Sequence, residues 1–257
     1  MTTTEFSRLV EYLRAARRAL VFTGAGVSTG SGIPDFRGPQ GLWTRGQQPV
    51  YYQEFMTSEA ARIRHWEYKL GQWQTLARAK PNAAHAAIVR IEKHDQLAAV
   101  ITQNIDGLHA LAGTSPDFLV ELHGTNALVS CQTCGERSHP GPHFAFFEES
   151  RQPPTCSCGG FLKPATISFG QALDGRELAR AHQATERADL VIALGSTLSV
   201  QPAASFPLRA ALTGVPYVII NQGATDHDRL PCVSLRLEAD VGDVFPAAVD
   251  ASLAASS

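Results

Sequence analysis

The sequence holds no apolar run near the ~20 residues that a membrane-spanning helix requires. Its charge is not lopsided either: 22 Lys and Arg face 24 Asp and Glu, a formal net charge of −2. The first absence argues against a helical membrane protein. The second removes the basic field that nucleic acid or an anionic membrane surface would need. The opening residues, Met1-Thr2-Thr3-Thr4-Glu5-Phe6, lack the basic and apolar regions of a secretory signal, so a cytoplasmic address is expected, with no nucleic-acid and no membrane partner. Cysteine is scarce, five residues in 257, too few for a disulfide framework in a chain this long. Four of the five form close pairs, Cys131-x-x-Cys134 and Cys156-x-Cys158, which in a reducing compartment fit a metal better than a disulfide. Cys232, beside Pro231, reads as a buried, inert thiol.

What is present is an alternation of strands and helices. Apolar runs at Leu20 to Thr23, Leu97 to Thr102, Leu119 to Leu122, Leu190 to Leu194, Tyr217 to Ile220 and Val233 to Leu237 read as buried strands. Phe6, Leu9, Val10 and Leu13 fall at helical spacing within residues 5–18, and further helices are expected at Asn82 to His94, Gly175 to Arg187, Ala203 to Leu212 and Val241 to Val249. The alternation predicts an α/β fold with a doubly wound parallel sheet, whose ligands sit at the carboxyl edge. Two segments stand outside it. Residues 39–80, rich in Trp and Tyr, predict a helical flap. Residues 127–165, with the cysteines and Pro140, Pro142, Pro153 and Pro154, predict a loop-rich insert too small to own a core, which a metal would stabilise.

Polar motifs follow the expected strands. Gly24-Ala25-Gly26-Val27-Ser28 opens a loop of small residues that can offer N–H groups to a diphosphate or simply make a tight turn. Its continuation, Ile33-Pro34-Asp35-Phe36-Arg37, adds a carboxylate, a ring and a guanidinium, which a bare turn does not need. An acid about twenty residues on would mark an ordinary nicotinamide dehydrogenase; here Trp43-Thr44-Arg45-Gly46 stands in its place. A loop that both cradles a nucleotide and presents reactive groups suggests that the nucleotide is consumed. Gln103-Asn104-Ile105-Asp106 is either an Asx turn or a grip for a carboxamide. His123 ends a strand, and Gly124 after it would let a ligand approach closely; a neutral imidazole there can take a proton near pH 7. His85 and His109 read as structural. Gly195-Ser196-Thr197 and Asn221-Gln222 are ribose- or phosphate-binding candidates, or helix caps. Four thiolates suit tetrahedral Zn²⁺, with His139 or His143 as possible substitutes, and no open position marks a catalytic metal.

Together and in this order, with Gly32-Ile33-Pro34-Asp35-Phe36-Arg37, Thr102 to Asp106, His123-Gly124, Phe169-Gly170 and Gly195-Ser196-Thr197-Leu198, these motifs resemble the sirtuins, NAD-dependent protein lysine deacylases, over nearly the whole chain. The resemblance implies a single catalytic domain over 1–257, a Rossmann-like doubly wound sheet with a small zinc-binding module, and acetylated protein lysines as substrate. NAD would be a co-substrate and one Zn²⁺ structural, held by Cys131, Cys134, Cys156 and Cys158. By the same resemblance His123 is the general base, and Asn104 with Asp106 orients the ribose and nicotinamide, Ile105 closing that pocket. Phe36 shields the reacting sugar carbon and Arg37 supports the loop. Gly24, Ala25, Gly26, Ser28, Asp35, Trp43, Gln103, Gly195, Ser196, Thr197, Asn221, Gln222 and Val241 hold the rest of NAD, while Ile167, Phe169 and Gly170 receive the acyl-lysine, the strand there pairing with the peptide backbone. Family members that take succinyl or malonyl groups carry a Tyr-x-x-Arg pair. Here the region reads Trp66-Glu67-Tyr68-Lys69-Leu70-Gly71-Gln72, which predicts a neutral acyl group, Lys69 being a weaker substitute for the arginine. Rival readings are a protein mono-ADP-ribosyltransferase and a non-catalytic NAD-sensing module.

Overall fold

The structure, a computed structural model, describes residues 1–35 and 49–254; Phe36, Arg37 and Trp43 lie outside the described residues. The chain begins with α1 (Thr3–Ala15), β1 (Ala19–Thr23), α2 (Tyr52–Thr57), α3 (Glu59–Arg78), α4 (Ala83–Lys93) and β2 (Leu97–Thr102). It continues through α5 (Leu108–Ala112), β3 (Leu119–Glu121), β4 (Gly124–Cys131), β5 (Arg137–Ser138), α6 (Pro140–Ser150) and β6 (Leu162–Thr166). It closes with α7 (Gly175–Arg187), β7 (Leu190–Leu194), α8 (Ser205–Leu212), β8 (Tyr217–Ile220), β9 (Leu235–Leu237) and α9 (Val241–Leu253).

Six strands form one sheet in the order β3-β2-β1-β7-β8-β9, with every neighbouring pair parallel. Numbered among themselves they run 3-2-1-4-5-6, the doubly wound order in which the direction of winding reverses between the first and fourth strands. Here that reversal falls between β1 and β7. All five residues of β1 and of β7 are buried, because helices cover both faces. Val21, Ile192, Val218 and Ile220 pack with Leu9, Ile88 and Phe245 of α1, α4 and α9. Leu20, Phe22, Val191 and Ile219 pack with Ala181, Phe206 and Ala210 of α7 and α8. The expected helix over 5–18 is displaced toward the N-terminus. Thr2 and Glu5 close a capping box at its start, and Asp189 captures the Arg17 and Arg18 N–H groups beyond its end, turning the chain into β1.

A second sheet, β5-β4-β6, is antiparallel. Residues 127–165 share a core with α3: Val129, Phe144, Phe147 and Leu162 are buried together, with Trp66 of α3 among them. Trp66 is fully buried; its Nε1 donates to Leu162 O at 3.1 Å, and Trp73 stacks on Phe144 with centroids 4.7 Å apart. The segment lacks enough apolar surface of its own, so a helix forty residues or more away in sequence supplies the missing part, a long-range contribution that local composition does not reveal.

Candidate active site

At the reversal point, two strand ends meet backbone to backbone. Gly24 N donates to Leu194 O at 3.0 Å and Gly26 N to Gly195 O at 2.8 Å. A Cβ on Gly24 would lie 2.7 Å from Gly195 O, and one on Gly195 would lie 2.4 Å from Gly26 C. Gly195 also holds φ +59, in the left-handed region. Val27 N and Ser28 N bond to Gly24 O and Ala25 O. Four N–H groups of the loop, those of Gly24, Gly26, Val27 and Ser28, are therefore committed within the fold. Its glycines let β1 and β7 deliver their ends to one place.

A buried polar web lies behind this junction. Asn104 Nδ2 donates to Gly24 O at 3.1 Å and to Ser28 Oγ at 3.2 Å, and Ser28 Oγ donates to Asp106 at 2.7 Å. Asp106 also accepts from Leu108 N at 2.9 Å. Thr102 Oγ1 accepts from Asn104 N and from Thr23 Oγ1 at 2.8 Å, and Thr23 Oγ1 in turn contacts His109 Nε2 at 3.0 Å. The expected structural roles of His109 and of His85, whose ring neighbours it at 4.8 Å, fit this placement. Gln103 Nε2 donates to Ser196 Oγ at 3.0 Å, joining the ends of β2 and β7.

His123 follows β3. Its Nδ1 lies 3.0 Å from Gln103 O; a carbonyl can only accept, so Nδ1 carries the proton and Nε2 is the basic nitrogen. Burial pushes the His123 pKa below the usual histidine value, because the charged form loses solvation, with the bond to Gln103 opposing that shift. Gly124 also has a different reason to be glycine. At φ +70, a Cβ there would sit 2.1 Å from Ala165 O. What comes close is β6 rather than a ligand, and Ile167 N then donates to His123 O at 2.8 Å.

These residues surround a cleft of about 940 Å³, at the upper end of the range for small-molecule sites. Of the residues read as site candidates, Gly24, Ala25, Gly26, Asp35, Gln103, Asn104, Ile105, His123, Ile167, Phe169, Gly170, Gly195, Ser196, Thr197, Asn221, Gln222 and Val241 line it. Ser28 and Asp106 do not appear on the described wall; they sit behind Asn104 and fix its amide. Asn221 Nδ2 donates to Gln222 O and Gly223 O, so that part of its amide is used locally. Thr29, His65 and Gln201 also line the cleft and were not foreseen. His65 lies four residues from Lys69 on α3, and two basic side chains on one turn beside a buried Trp was the available signal.

The four cysteine Sγ atoms of the small module all lie within 4.8 Å of one another. Cys131 and Cys158 are 3.6 Å apart and Cys134 and Cys156 3.8 Å. Sulfurs ~2.3 Å from a tetrahedral zinc are about 3.8 Å apart, so the donor set fits Zn²⁺ with all four positions filled. A Cβ on Gly160 would lie 2.6 Å from Cys131 Sγ, so the loop closes on the thiols only because that residue is glycine. His139 caps α6 by accepting from Gly141 N, and His143 bonds to Ser138; neither joins the cluster.

A doubly wound sheet with a cleft at its winding reversal, a placed imidazole and a four-thiolate centre defines a dinucleotide-binding α/β protein with a zinc-stabilised module. Comparison with known proteins narrows that class. The Sir2 family model matches residues 24–202. The NAD-dependent protein deacetylase of Rhodopseudomonas palustris is 39% identical over 239 residues, 93% of each chain, and that of Thermodesulfovibrio yellowstonii is 39% identical over 226 residues, 87% of each. A Sir2 enzyme solved with a deacetylated p53 peptide and 3'-O-acetyl ADP ribose superposes with a TM-score of 0.85 at 33% identity, covering 95% of this chain and 97% of that one. The chain belongs to the Sir2 family.

Proposed function

We propose that this chain is an NAD-dependent protein lysine deacetylase, releasing nicotinamide, O-acetyl-ADP-ribose and deacetylated lysine, and working in the cytoplasm on acetylated proteins. Family membership, the relatives' named activity and the donor chemistry of the cleft support it. The observation that carries the reading is His123: its Nδ1 is anchored on Gln103 O, and its ring lines the cleft that Ile167 and Phe169 also line.

Bound along the glycine junction, NAD supplies an electrophilic sugar carbon when its positively charged nicotinamide departs. The chain's own groups do the rest. His123 Nε2, held in its neutral tautomer, accepts a proton from a ribose hydroxyl. Asn104 is locked by Gly24 O and Ser28 and presents its remaining oxygen to the cleft as an orienting acceptor. Asp106 holds Ser28 and thereby Asn104, a positioning role. Ile105 walls the nicotinamide pocket, and Asp35, Phe36, Arg37 and Trp43 complete the site, with the Phe36 ring keeping water from the sugar. Gln103, Ser196, Thr197, Asn221, Gln222 and Val241 hold the remainder of the dinucleotide. Ile167, Phe169 and Gly170 receive the acyl-lysine; β6 ends at Thr166 and Phe169-Gly170 lies in a turn closed by Gln171 N donating to Ser168 O at 3.0 Å, so the strand expected to begin there is not formed. Residues 1–257 act as one catalytic domain, with 39–80 as a helical flap insert and 127–165 as the zinc-binding insert. No helix among the described residues is long and apolar enough to cross a membrane.

Incubation with NAD and an acetyl-lysine peptide, followed by mass spectrometry, should give nicotinamide, O-acetyl-ADP-ribose and free lysine in equal amounts. Label from adenine-labelled NAD that ends on protein instead would make the chain an ADP-ribosyltransferase. Binding of NAD with no nicotinamide released would make it a sensor.

A further inference from the structure

The loop after β8 lines the cleft with Asn221, Gln222, Gly223 and Ala224, and a side chain behind it holds its shape. Arg236 is the middle residue of β9, between Leu235 and Leu237, which are buried in the core. The sequence gives no sign of a role, because a charge on an edge strand is an ordinary guard against pairing with another chain. Its side chain is nevertheless only 19% exposed and reaches past the end of β8. Nε donates to Asp228 Oδ1 at 2.6 Å, Nη1 to Asn221 O at 3.0 Å and to Leu237 O, and Nη2 to Gly223 O. Four of the five N–H groups of the guanidinium are thus spent on one carboxylate and three carbonyls.

The carboxylate is itself fixed. Asp228 accepts from Thr225 Oγ1 at 2.6 Å and from Thr225 N at 3.0 Å, and Asp226 N donates to Thr197 O at 3.0 Å. Residues 221–228 therefore close around the guanidinium and are tied as well to the turn after β7. The consequence falls on Asn221, which is buried. Its Nδ2 donates to Gln222 O and to Gly223 O, both at 3.0 Å. A carbonyl can only accept, so these contacts fix the orientation of the amide and use both of its donors. Gly223 O receives the Asn221 amide and the Arg236 guanidinium together. Asn221 Oδ1 has no hydrogen-bond partner among the described residues and is left for a ligand; it can take an O–H. Asn221 follows β8, on the far side of the junction between β1 and β7 from His123 after β3, so the ligand group it meets is remote from the reacting sugar carbon. Arg236 does not line the cleft and acts only through this loop.

We propose that Arg236 is a positioning residue for the adenosine end of the dinucleotide, holding the loop so that Asn221 Oδ1 meets a sugar hydroxyl as an acceptor. The proposal rests on the NAD reading of the cleft. A guanidinium is needed rather than any cation. Its planar fork meets the carbonyls of three residues at fixed spacing, which a flexible ammonium with three rotating donors does not reproduce.

Calorimetric titration with ADP-ribose, which carries the adenosine end without nicotinamide, tests this together with kinetics on NAD and an acetyl-lysine peptide. Arg236→Gln should weaken ADP-ribose binding and raise KM for NAD about tenfold or more, the worth of one charged hydrogen bond. kcat and KM for the peptide should stay within about twofold, whereas a general loss of stability would lower the active fraction, and kcat with it, and leave KM for NAD unmoved. Arg236→Lys keeps the charge without the fork and should still lose about threefold or more; it is the deciding variant if Arg236→Gln does not fold. In an Asn221→Ala background either substitution should cost less than about threefold, because the group being positioned is gone. Parent-like ADP-ribose affinity in folded Arg236→Gln or Arg236→Lys overturns the proposal, as does an undiminished loss in the Asn221→Ala background. A parent that binds ADP-ribose but deacetylates nothing defeats the deacetylase reading, and the ADP-ribose titrations still decide the role of Arg236. A parent that binds no ADP-ribose defeats both.

Discussion

Replacing Gly195 with alanine tests whether the junction of β1 and β7 is what builds the nucleotide end of the cleft. Two separable penalties are expected. A non-glycine residue at φ +59 is strained by roughly 1–2 kcal/mol. The new Cβ would also stand 2.4 Å from Gly26 C and Val27 N, and because that neighbour is backbone it cannot swing away; forcing such an overlap adds about 1–3 kcal/mol or more. The two parts can be measured apart. Gly214 holds φ +92 with nothing within 4 Å of a Cβ, so Gly214→Ala carries the conformational part alone. Gly24 has φ −124 but a Cβ only 2.7 Å from Gly195 O, so Gly24→Ala carries the steric part alone. For a domain of this size each kcal/mol is about 2–4 °C in Tm. Gly214→Ala should therefore lower Tm by a few degrees, and Gly195→Ala by on the order of 10 °C with a parallel loss of NAD affinity by titration. If Gly195→Ala loses no more than Gly214→Ala, or binds NAD as the parent does, the close approach of the two strand ends does not shape the site.

His123→Ala should leave the fold and NAD binding in place while reducing deacetylation about 10²–10⁴-fold, the range for loss of a general base; an unchanged turnover rate refutes that role. Because burial lowers the His123 pKa and a base works only when neutral, the acid limb of kcat/KM in the parent should fall below the ordinary histidine value of about 6.5, and a limb at or above it contradicts the assignment. Cys131→Ala should reduce bound zinc from about one per chain toward none and destabilise the small module, read by metal analysis and thermal denaturation; a parent protein with no zinc would count against the site. Lys163 and Lys69 have folded-state values near 7 and 8 against 10.5 when unfolded. The unfolded chain thus binds more protons between those limits, and stability should rise as pH climbs from about 7 toward 10. Lys163→Met should flatten that rise in denaturant titrations, and an unaltered slope would show that Lys163 does not titrate there.

The strands were legible because each is a short apolar run, and a doubly wound sheet needs such runs buried on both faces; Leu97–Thr102, Leu190–Leu194 and Tyr217–Ile220 stand where the pattern placed them. Gly175–Arg187 is likewise a helix over its expected span. The paired cysteines were legible because chelation requires short spacing. Helix ends were less so: α8 begins at Ser205 rather than Ala203 and α9 runs on to Leu253, since a weak local preference decides an end only where tertiary contacts permit.

What the amino-acid order determined alone is the inventory: which segments are strands, which polar residues follow them, and that four thiols are close enough to share an ion. Those properties depend on neighbours a few positions away. Which of the polar residues meet was decided by the fold. Gly24 touches Gly195, Ser28 holds Asp106, Trp66 completes the core of the small module, and Lys69 reaches Asn126. Each of those pairs is far apart along the chain, and only the strand order, with its reversal between β1 and β7, converts that separation into contact.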